Sequence, residues 1–325
     1  MTNAIQIHTT GGPEVLQWEK IDCHDPGPGE VHIRHEAIGL NFIDVYHRTG
    51  LYPLPGLPAV LGLEGAGTVI STGTDVTEFQ AGDRVAYAGV PPGAYAEERL
   101  IPAHRLVKLP KAISFRQGAA MMLQGMTARY LLHGCFPVKA GDTILVHAAA
   151  GGVGTIICQW ARHLGATVIG TVGSEKKADL ARAHGCDYPI DYVNDDFIAR
   201  VQEITDNKGV NAVYDSVGQP TFLKSLDCLK PMGTMVSFGQ AAAPVPPVDI
   251  GLLAAKGSLF LTRPSLMTYT EKREDLLAHA ADLFAVVESG AVQVDIRQTY
   301  ALKDAAQAHR DLEARKTSGS TILIP

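Results

Sequence analysis

The chain has 325 residues, of which 46% are hydrophobic and 19% charged, with a net charge of −6 at pH 7. This length suits about two domains that need no disulfide or metal to support their cores, and the composition excludes a wholly disordered chain. The acidic balance supplies no broad basic face for nucleic acid or for an anionic membrane.

The cysteines indicate the compartment. There are five, an odd number, and no two form a Cys-x-x-Cys pair: Cys23, Cys135, Cys158, Cys186 and Cys228. This argues against a disulfide scaffold and a zinc ribbon. Residues 1–17 lack the pattern of a secretory signal, and no run of about 18 apolar residues predicts a membrane helix. We expect a cytoplasmic protein with no membrane partner, and nucleic acid is not the expected partner either.

The first 110 or so residues are predicted to be rich in strands. Short apolar runs at 31–34, 62–71 and 83–87 are separated by glycine and proline, a spacing typical of a small barrel or sandwich. At 115–132 the apolar residues change to helical spacing.

From residue 142 the pattern predicts a parallel sheet. Strands are predicted at 143–146, 167–172, 210–214, 233–238 and 257–261, with helices at 155–164 and 176–184, and the chain then ends with helices at 276–288 and 304–314 and a strand at 321–324. Alternating strands and helices indicate βαβ units with a sheet that is buried on both faces. The predicted fold class is therefore α/β, a β-rich domain plus a doubly wound domain, with boundaries near residues 125 and 264.

A glycine-rich turn at 147–154 follows the first strand of this region and precedes a helix. The dinucleotide fingerprint needs three small residues there, and Ala149, Gly151 and Gly154 occupy those places, with alanine instead of the first glycine. We interpret the turn as a pyrophosphate site at a helix N-terminus, with Gly151, Gly152 and Val153 as cofactor contacts. A tight connection that binds no ligand is the alternative.

The end of the second strand indicates which dinucleotide is bound. NAD-binding domains place an acid there for the ribose 2′-hydroxyl, whereas this chain has Gly173 and Ser174, followed by Lys177 and, after the next strand, Tyr192. A small residue, hydroxyls and a cation suit a 2′-phosphate, so we predict NADP (NADPH) with these four residues as contacts. Alternatively, Lys177 is a solvated helix lysine and Glu175 binds the ribose of NAD.

Six passages carry a family resemblance: 11–16 (GGPEVL), 39–44 (GLNFID), 49–53 (TGLYP), 148–154 (AAAGGVG), 214–218 (YDSVG) and 262–266 (TRPSL). Together they resemble the medium-chain dehydrogenase/reductase superfamily, and within it the NADPH-dependent quinone oxidoreductases of the zeta-crystallin group. The resemblance implies a GroES-like catalytic domain at 1–125, a Rossmann NADP-binding domain at 126–264, and a C-terminal return to the catalytic domain at 265–325.

The zinc-dependent alcohol dehydrogenases of the same superfamily hold a catalytic zinc with cysteine and histidine. By that resemblance the three ligand places fall at Asn41, at Leu63 and near Leu123 or Gln124, and the segment 87–95 has no cysteine for a structural zinc. We therefore predict no metal. Chemistry without a metal suits an easily reduced acceptor such as a quinone, which spreads the incoming charge over its ring.

Other cysteine and histidine pairs are close in sequence, namely Cys23 with His24 and His32 with His35. Neither pair matches a ligand place of the family. We expect each of these histidines to be structural or solvated.

Three residues of the first domain are predicted to be catalytic: Asn41, Tyr46 and Tyr52. The Asn41 amide would also contact the cofactor. The two tyrosines lie in a loop-rich segment and would stack on a planar acceptor and donate a hydrogen bond or proton, or else they pack beneath a loop. Asp44 is either an acid of the site or a helix N-cap.

Further cofactor contacts come from strand ends and from the resemblance. Val217 and Gly218, and likewise Phe238 and Gly239, end strands at the face where doubly wound sheets bind ligands. The resemblance adds Thr127, Arg263 and Arg315. Alternatively, Thr127 bonds to its own helix backbone, and the two arginines lie on the surface.

The sequence thus predicts a metal-free NADPH:quinone oxidoreductase. Strand 257–261 matches the edge strand through which family members pair, so a homodimer is expected. The alternatives are an NADPH-dependent enone or enoyl reductase of the same superfamily, or a cofactor-binding protein with a crystallin-like or RNA-binding role.

Overall fold

A computed structural model describes residues 1–325 and divides the chain into two compact units. The first unit comprises residues 1–126, 270–288 and 294–325, and the second comprises 127–269 and 289–293. None of the helices combines the length and the apolar character that a membrane span requires.

Sixteen strands and ten α-helices make up the two units. The strands are β1 (Thr2–Ile7), β2 (Gln17–Ile21), β3 (Glu30–Leu40), β4 (Ala59–Val60), β5 (Glu64–Thr72), β6 (Arg84–Ala88), β7 (Glu98–Pro102), β8 (Val107–Lys108), β9 (Thr143–Val146), β10 (Thr167–Val172), β11 (Tyr188–Asp191), β12 (Val210–Asp215), β13 (Leu229–Ser237), β14 (Phe260–Thr262), β15 (Ile296–Ala301) and β16 (Ser320–Ile324). The helices are α1 (Phe42–Thr49), α2 (Phe115–Tyr130), α3 (Gly152–His163), α4 (Glu175–Ala183), α5 (Phe197–Ile204), α6 (Gln219–Leu226), α7 (Gly251–Ala255), α8 (Leu266–Tyr269), α9 (Arg273–Glu288) and α10 (Ala305–Glu313).

The first unit is built around β3. Six strands lie in the order β15-β16-β3-β5-β6-β8, and β7 pairs with the N-terminal half of β3. In that half, Val31, Ile33 and His35 are buried while Arg34 and Glu36 are exposed, which is the alternation of a strand with one face on a core. All four residues from 37 to 40 are buried, whichever face of the strand they lie on. The end of β3 therefore lies inside the unit, where it delivers the chain to Asn41.

A glycine permits the close packing at this end of β3. A Cβ atom on Gly39 would lie 2.2 Å from Glu64 Oε2 and 2.3 Å from the carbonyl oxygen of Ala119. The returning C-terminal strand pairs antiparallel here, with Ile322 opposite Gly39. Distant parts of the chain thus meet where β3 ends.

A buried arginine fixes α1 to α10. Arg48 is 1% exposed and donates two 2.8 Å hydrogen bonds to the two carboxylate oxygens of Glu313, with a further bond from its Nε to the carbonyl oxygen of Gly11. The bidentate geometry is the strong form of this pairing. The helix that follows Asn41 is therefore held by the C-terminal part of the chain.

The second unit contains a six-stranded parallel sheet in the order β11-β10-β9-β12-β13-β14. This is the strand order of a Rossmann domain, with the topological switch point between β9 and β12. The predicted α/β fold class is confirmed.

Three predictions of local structure were inaccurate. Helix α3 begins at Gly152 rather than near 155, because Gly151 already serves as its N-cap. Strand β14 begins at Phe260 rather than 257, since Gly257 and Ser258 have φ of +107° and +56° and turn the backbone. Tyr46 lies in α1 and not in a loop-rich segment.

Candidate active site

Asn41 occupies the junction between β3 and α1, and both ends of its amide are engaged. Its Nδ2 donates to Glu64 Oε2 at 2.7 Å, and its Oδ1 accepts from Gln124 Nε2 at 3.1 Å. Gln124 Oε1 in turn accepts from the Ser320 hydroxyl at 2.7 Å. Two of the three places that the resemblance aligned with zinc ligands, Asn41 and Gln124, are thus joined by a hydrogen bond between amides, and the carboxyl group of Glu64 follows the third place, Leu63.

Glu64 is the centre of this network and was not among the predicted site residues. It is fully buried, and its second oxygen, Oε1, accepts from the peptide N–H of Leu123 at 2.8 Å. Burial raises the pKa of Glu64 to about 8, and the hydrogen bonds from Asn41 and Leu123 oppose that rise only in part. At pH 7 the group is therefore mostly protonated, and the site carries little of its negative charge. The sequence did offer one signal for Glu64, because it directly follows Leu63, a place that the resemblance aligned with a zinc ligand.

Asp44 closes the first turn of α1. Its Oδ2 accepts from the peptide N–H of Asn41 and from the Tyr95 hydroxyl, both at 2.9 Å. Its other oxygen is buried without a partner, and burial raises the pKa of Asp44 to about 7. Asp44 is not the N-cap of α1, since Asn41 holds that place; it is the N3 residue of a capping box, in which its carboxylate accepts from the N-cap peptide.

The structure brings Tyr46 and Tyr52 together. Their ring centroids are 5.0 Å apart at an interplanar angle of 59°, and the N–H of Tyr52 donates to the carbonyl oxygen of Tyr46 at 3.0 Å. Tyr46 is 9% exposed and Tyr52 is partly exposed. The pair forms a short aromatic wall in the first unit, with Tyr46 in α1 five residues after Asn41 and Tyr52 just beyond the end of that helix.

In the second unit the glycine-rich turn has the tight geometry that the fingerprint requires. Ala148 has a left-handed φ of +54°. A Cβ atom on Gly154 would lie 2.3 Å from the carbonyl oxygen of Ala148, so only glycine allows the helix to pack this close to the strand. The first amides of α3, which include those of Gly152 and Val153, have no acceptor within the helix. A helix end with such free peptide hydrogens is suited to an anion.

The four residues predicted to contact a 2′-phosphate gather at the end of β10. Ser174 caps α4, its hydroxyl accepting from the N–H of Lys177 at 3.4 Å. The Tyr192 hydroxyl lies so close to Gly173 that a Cβ there would be 2.8 Å away. Glu175, the residue considered for NAD, instead accepts from Arg182 at 3.0 Å. The strand end therefore presents hydroxyls and a helix N-terminus rather than an acid.

Asp215 organises the other predicted cofactor loops. Its carboxylate Oδ1 accepts from the N–H groups of Val217 at 2.7 Å and Gly218 at 3.2 Å, and its carbonyl oxygen accepts from those of Phe238 and Gly239 at 2.8 and 3.2 Å. All four peptide donors are thus occupied, and these residues have only carbonyls and side chains left for a ligand. Asp215 was missed, although an Asp whose carboxylate bonds the backbone two residues on is a recognisable turn signal.

The remaining predicted contacts are distributed over the two units. In the second unit Thr127 is buried, and Arg263 donates to the carbonyl oxygen of Ser237 at the end of β13, at 3.0 Å. In the first unit Arg315 is exposed after α10 with a left-handed φ of +57°. The roles of these residues stay predictions.

The buried Glu64 carboxyl group makes stability depend on pH. The folded state keeps the proton up to about pH 8, whereas the unfolded state releases it near pH 4.3. The unfolded chain therefore binds fewer protons between these values, and stability falls as pH rises through this window, by up to about 1.4 kcal/mol per pH unit. Glu64→Gln should reduce this decline in urea unfolding at pH 5, 6, 7 and 8, and the decline that remains comes from Asp44, whose pKa is also raised. The exposed Glu36→Gln should retain it, and an unchanged slope in Glu64→Gln would contradict the assignment.

Comparisons with known proteins agree with this geometry. Residues 27–111 match the family model described as alcohol dehydrogenase GroES-like domain, and residues 152–282 match that of zinc-binding dehydrogenase. The chain is 52% identical to a quinone oxidoreductase of Pseudomonas aeruginosa, over 100% of both chains, and 46% identical to a 2-haloacrylate reductase of a Burkholderia species, over 100% of this chain and 99% of that one. The crystal structure of Escherichia coli quinone oxidoreductase complexed with NADPH superposes with a TM-score of 0.98 at 48% identity, covering 99% of this chain and 100% of that one. The chain belongs to the quinone oxidoreductase family of the medium-chain dehydrogenase/reductase superfamily.

Proposed function

We propose that this protein is an NADPH-dependent oxidoreductase that reduces quinones. In this proposal residues 1–125 form the catalytic domain, residues 126–264 bind NADPH, and residues 265–325 return to complete the catalytic domain. The observation that carries the cofactor choice is the cluster at the end of β10, where Ser174 caps the helix at the N–H of Lys177, Tyr192 lies beside Gly173, and Glu175 is paired with Arg182.

The residues of the second unit fit the parts of NADPH. The amides of Gly152 and Val153 would receive the pyrophosphate at the start of α3. Gly151, whose N–H donates to the carbonyl oxygen of Ala148 at 2.9 Å, would contact it as the N-cap residue without a side chain. Gly173 and the cluster beside it would receive the 2′-phosphate, with Lys177 supplying positive charge. NADPH bound there supplies a hydride equivalent for reduction.

Asn41 would orient the reacting groups in the first unit. An asparagine amide has two N–H hydrogens, and one of them is directed at Glu64. The other remains to hold either the carboxamide of the cofactor or the oxygen of the acceptor. Because Glu64 and Gln124 fix the amide at both ends, its direction is set before a substrate arrives, which lowers the cost of reorganisation.

The aromatic wall of Tyr46 and Tyr52 suits a planar acceptor. A ring that stacks on these side chains gains apolar contact, and the phenol hydroxyl groups can donate to its oxygens. Protonation of Glu64 near neutral pH matters as well, since an ionised carboxylate in the site would repel the negative charge that forms on the acceptor.

A second candidate is reduction of a conjugated carbonyl compound. The Burkholderia relative named 2-haloacrylate reductase favours it, at 46% identity. The same Asn41 network would serve, because the charge then develops on an enolate oxygen. A crystallin-like or RNA-binding role has no comparable observation in its favour.

The two acceptors are separated by steady-state kinetics with NADPH. We expect small planar quinones to give a kcat/KM at least about 10 times that of 2-haloacrylate or a simple enone, since only the quinone distributes charge over two oxygens and a ring. Oxidation of NADPH is followed with each acceptor. Turnover of the conjugated carbonyl with none of any quinone would overturn the quinone assignment.

Lys177 provides the test of cofactor choice. Lys177→Ala should lower kcat/KM for NADPH by about 10- to 100-fold, the expected loss for one hydrogen bond to a charged group, and should leave the value for NADH nearly unchanged. Lys176→Ala is the matched control, because that lysine is adjacent on α4 and exposed. Equal losses with NADPH and NADH would show that Lys177 does not read the 2′-phosphate.

We further propose a homodimer located in the cytoplasm. Strand β14 is an edge of the parallel sheet, and Phe260 and Leu261 on it are 63% and 40% exposed. An exposed apolar edge strand is an aggregation hazard unless a partner covers it, and a second copy related by a two-fold axis would do so. The five unbonded cysteines support a reducing compartment.

Light scattering tests the dimer. The wild-type protein should have twice the chain mass of 34.6 kDa, and Phe260→Lys should shift it toward the monomer because the charge would be buried at the interface. Leu223→Lys on α6, at a side chain that is 50% exposed, is the control and should stay dimeric. A wild-type species at 34.6 kDa alone would contradict the proposal.

A further inference from the structure

In the first unit a thiol, an imidazole and a carboxylate lie close together, at a place separate from Asn41. His32 Nε2 lies 3.3 Å from Cys23 Sγ and 3.1 Å from Glu98 Oε2. All three donor atoms lie within 4.8 Å of one another, and each residue is partly exposed. The cluster is reachable from solvent.

The sheet holds two of the three side chains in place. β3 and β7 are antiparallel, with His32 opposite Leu100 and Arg34 opposite Glu98. His32 and Glu98 are therefore diagonal neighbours on one face of the sheet. Cys23 reaches this face from the segment 22–29 that connects β2 to β3.

The geometry is unlike a nucleophilic triad. In such a triad the histidine uses one ring nitrogen for the nucleophile and the other for the orienting acid. Here the same atom, His32 Nε2, faces both Cys23 and Glu98. Burial and the charge of Glu98 also raise the pKa of the Cys23 thiol, whereas a reactive cysteine has a lowered pKa.

Three donors that point at one place are the pattern of a metal site. Zn²⁺ prefers this set of sulfur, nitrogen and oxygen ligands, and its bonds of about 2.0–2.3 Å put ligand atoms roughly 3.3–3.8 Å apart in a tetrahedron. The observed separations of 3.1 and 3.3 Å need only a small adjustment. A dication would also replace the thiol proton, which relieves the unfavourable pairing of Cys23 with Glu98.

We propose that Cys23, His32 and Glu98 bind a divalent transition metal ion of the Zn²⁺ class, with water as the fourth ligand. This departs from the expectation that His32 is structural or solvated and that the protein holds no metal. Nine residues of extended chain, up to about 30 Å, separate His32 from Asn41 along the chain. The ion would therefore fasten the segment 22–29 to the sheet rather than take part in the reaction at Asn41.

Cobalt provides a direct spectroscopic test on the full-length reduced protein. Co²⁺ should bind with one equivalent and give a thiolate-to-metal absorption band in the near ultraviolet. Cys23→Ser should abolish that band, and His32→Gln and Glu98→Gln should each weaken Co²⁺ affinity at least about 10-fold, since each removes one of three ligands.

Two variants serve as controls. Cys135→Ser removes another partly buried thiol, which contacts the Tyr269 hydroxyl at 3.5 Å. His8→Gln removes a histidine that pairs with Glu19 at 3.0 Å. Both should bind Co²⁺ as the wild type does. No band in the wild type, or a band that survives in Cys23→Ser, would overturn the proposal.

A second readout tests the structural role independently of catalysis. Saturating Zn²⁺ should raise the Tm of the wild type and of Cys135→Ser but not of His32→Gln, because an ion that binds only the folded state stabilises it. The rate of NADPH oxidation should be unchanged by Zn²⁺. This outcome stands whether or not quinones are the acceptors, so the two proposals fail separately. An equal rise of Tm in His32→Gln would contradict the site.

Discussion

The burial of the Glu64 carboxyl group, with amide and peptide hydrogens as its partners, is the constraint around which the first unit is arranged. Removing a carboxyl group from water is costly unless it is protonated and hydrogen-bonded, and its partners come from the end of β3 and from α2. Gly39 makes the approach possible, because any side chain there would collide with the carboxyl oxygen. Ser320 on the returning strand secures Gln124 in turn. The site is thus complete only when the C-terminal segment has folded back.

In the second unit a single residue, Asp215, likewise accepts hydrogen bonds from several parts of the chain. Asp215 stands at the end of β12 and takes the peptide hydrogens of two separate loops, through its side chain and its carbonyl oxygen. Those loops are therefore fixed at the carboxyl ends of the strands, the face where doubly wound sheets bind ligands. The start of α3 is left with unsatisfied amides, because nothing in the helix can accept from them. The fixed loops after β12 and β13 and the free peptide hydrogens at the start of α3 together suit the binding of a phosphate group.

The sequence predicted those features that depend on neighbours along the chain. The parallel strands β9, β10, β12 and β13 and the glycine turn could be located because apolar runs and small residues are local signals. Glu64 was missed because its partners lie 23 and 59 residues away along the chain. β15 was missed because it alternates between exposed and half-buried residues and has no apolar run. The cluster of Cys23, His32 and Glu98 likewise depends on the pairing of β3 with β7, which no spacing reveals.

The choice of acceptor follows from what the network leaves unused. The Asn41 amide has one N–H hydrogen beyond its bond to Glu64, and the carboxyl group of Glu64 adds little negative charge near pH 7. One neutral donor stabilises a concentrated alkoxide poorly, because a full charge on a single oxygen needs a metal or several donors. A hydroquinone anion shares that charge between a ring and two oxygens, so one donor and an aromatic wall suffice. If Asn41 holds the acceptor as we propose, the same hydrogen-bond network that satisfies a buried carboxyl group also favours acceptors that can spread the incoming charge over several atoms.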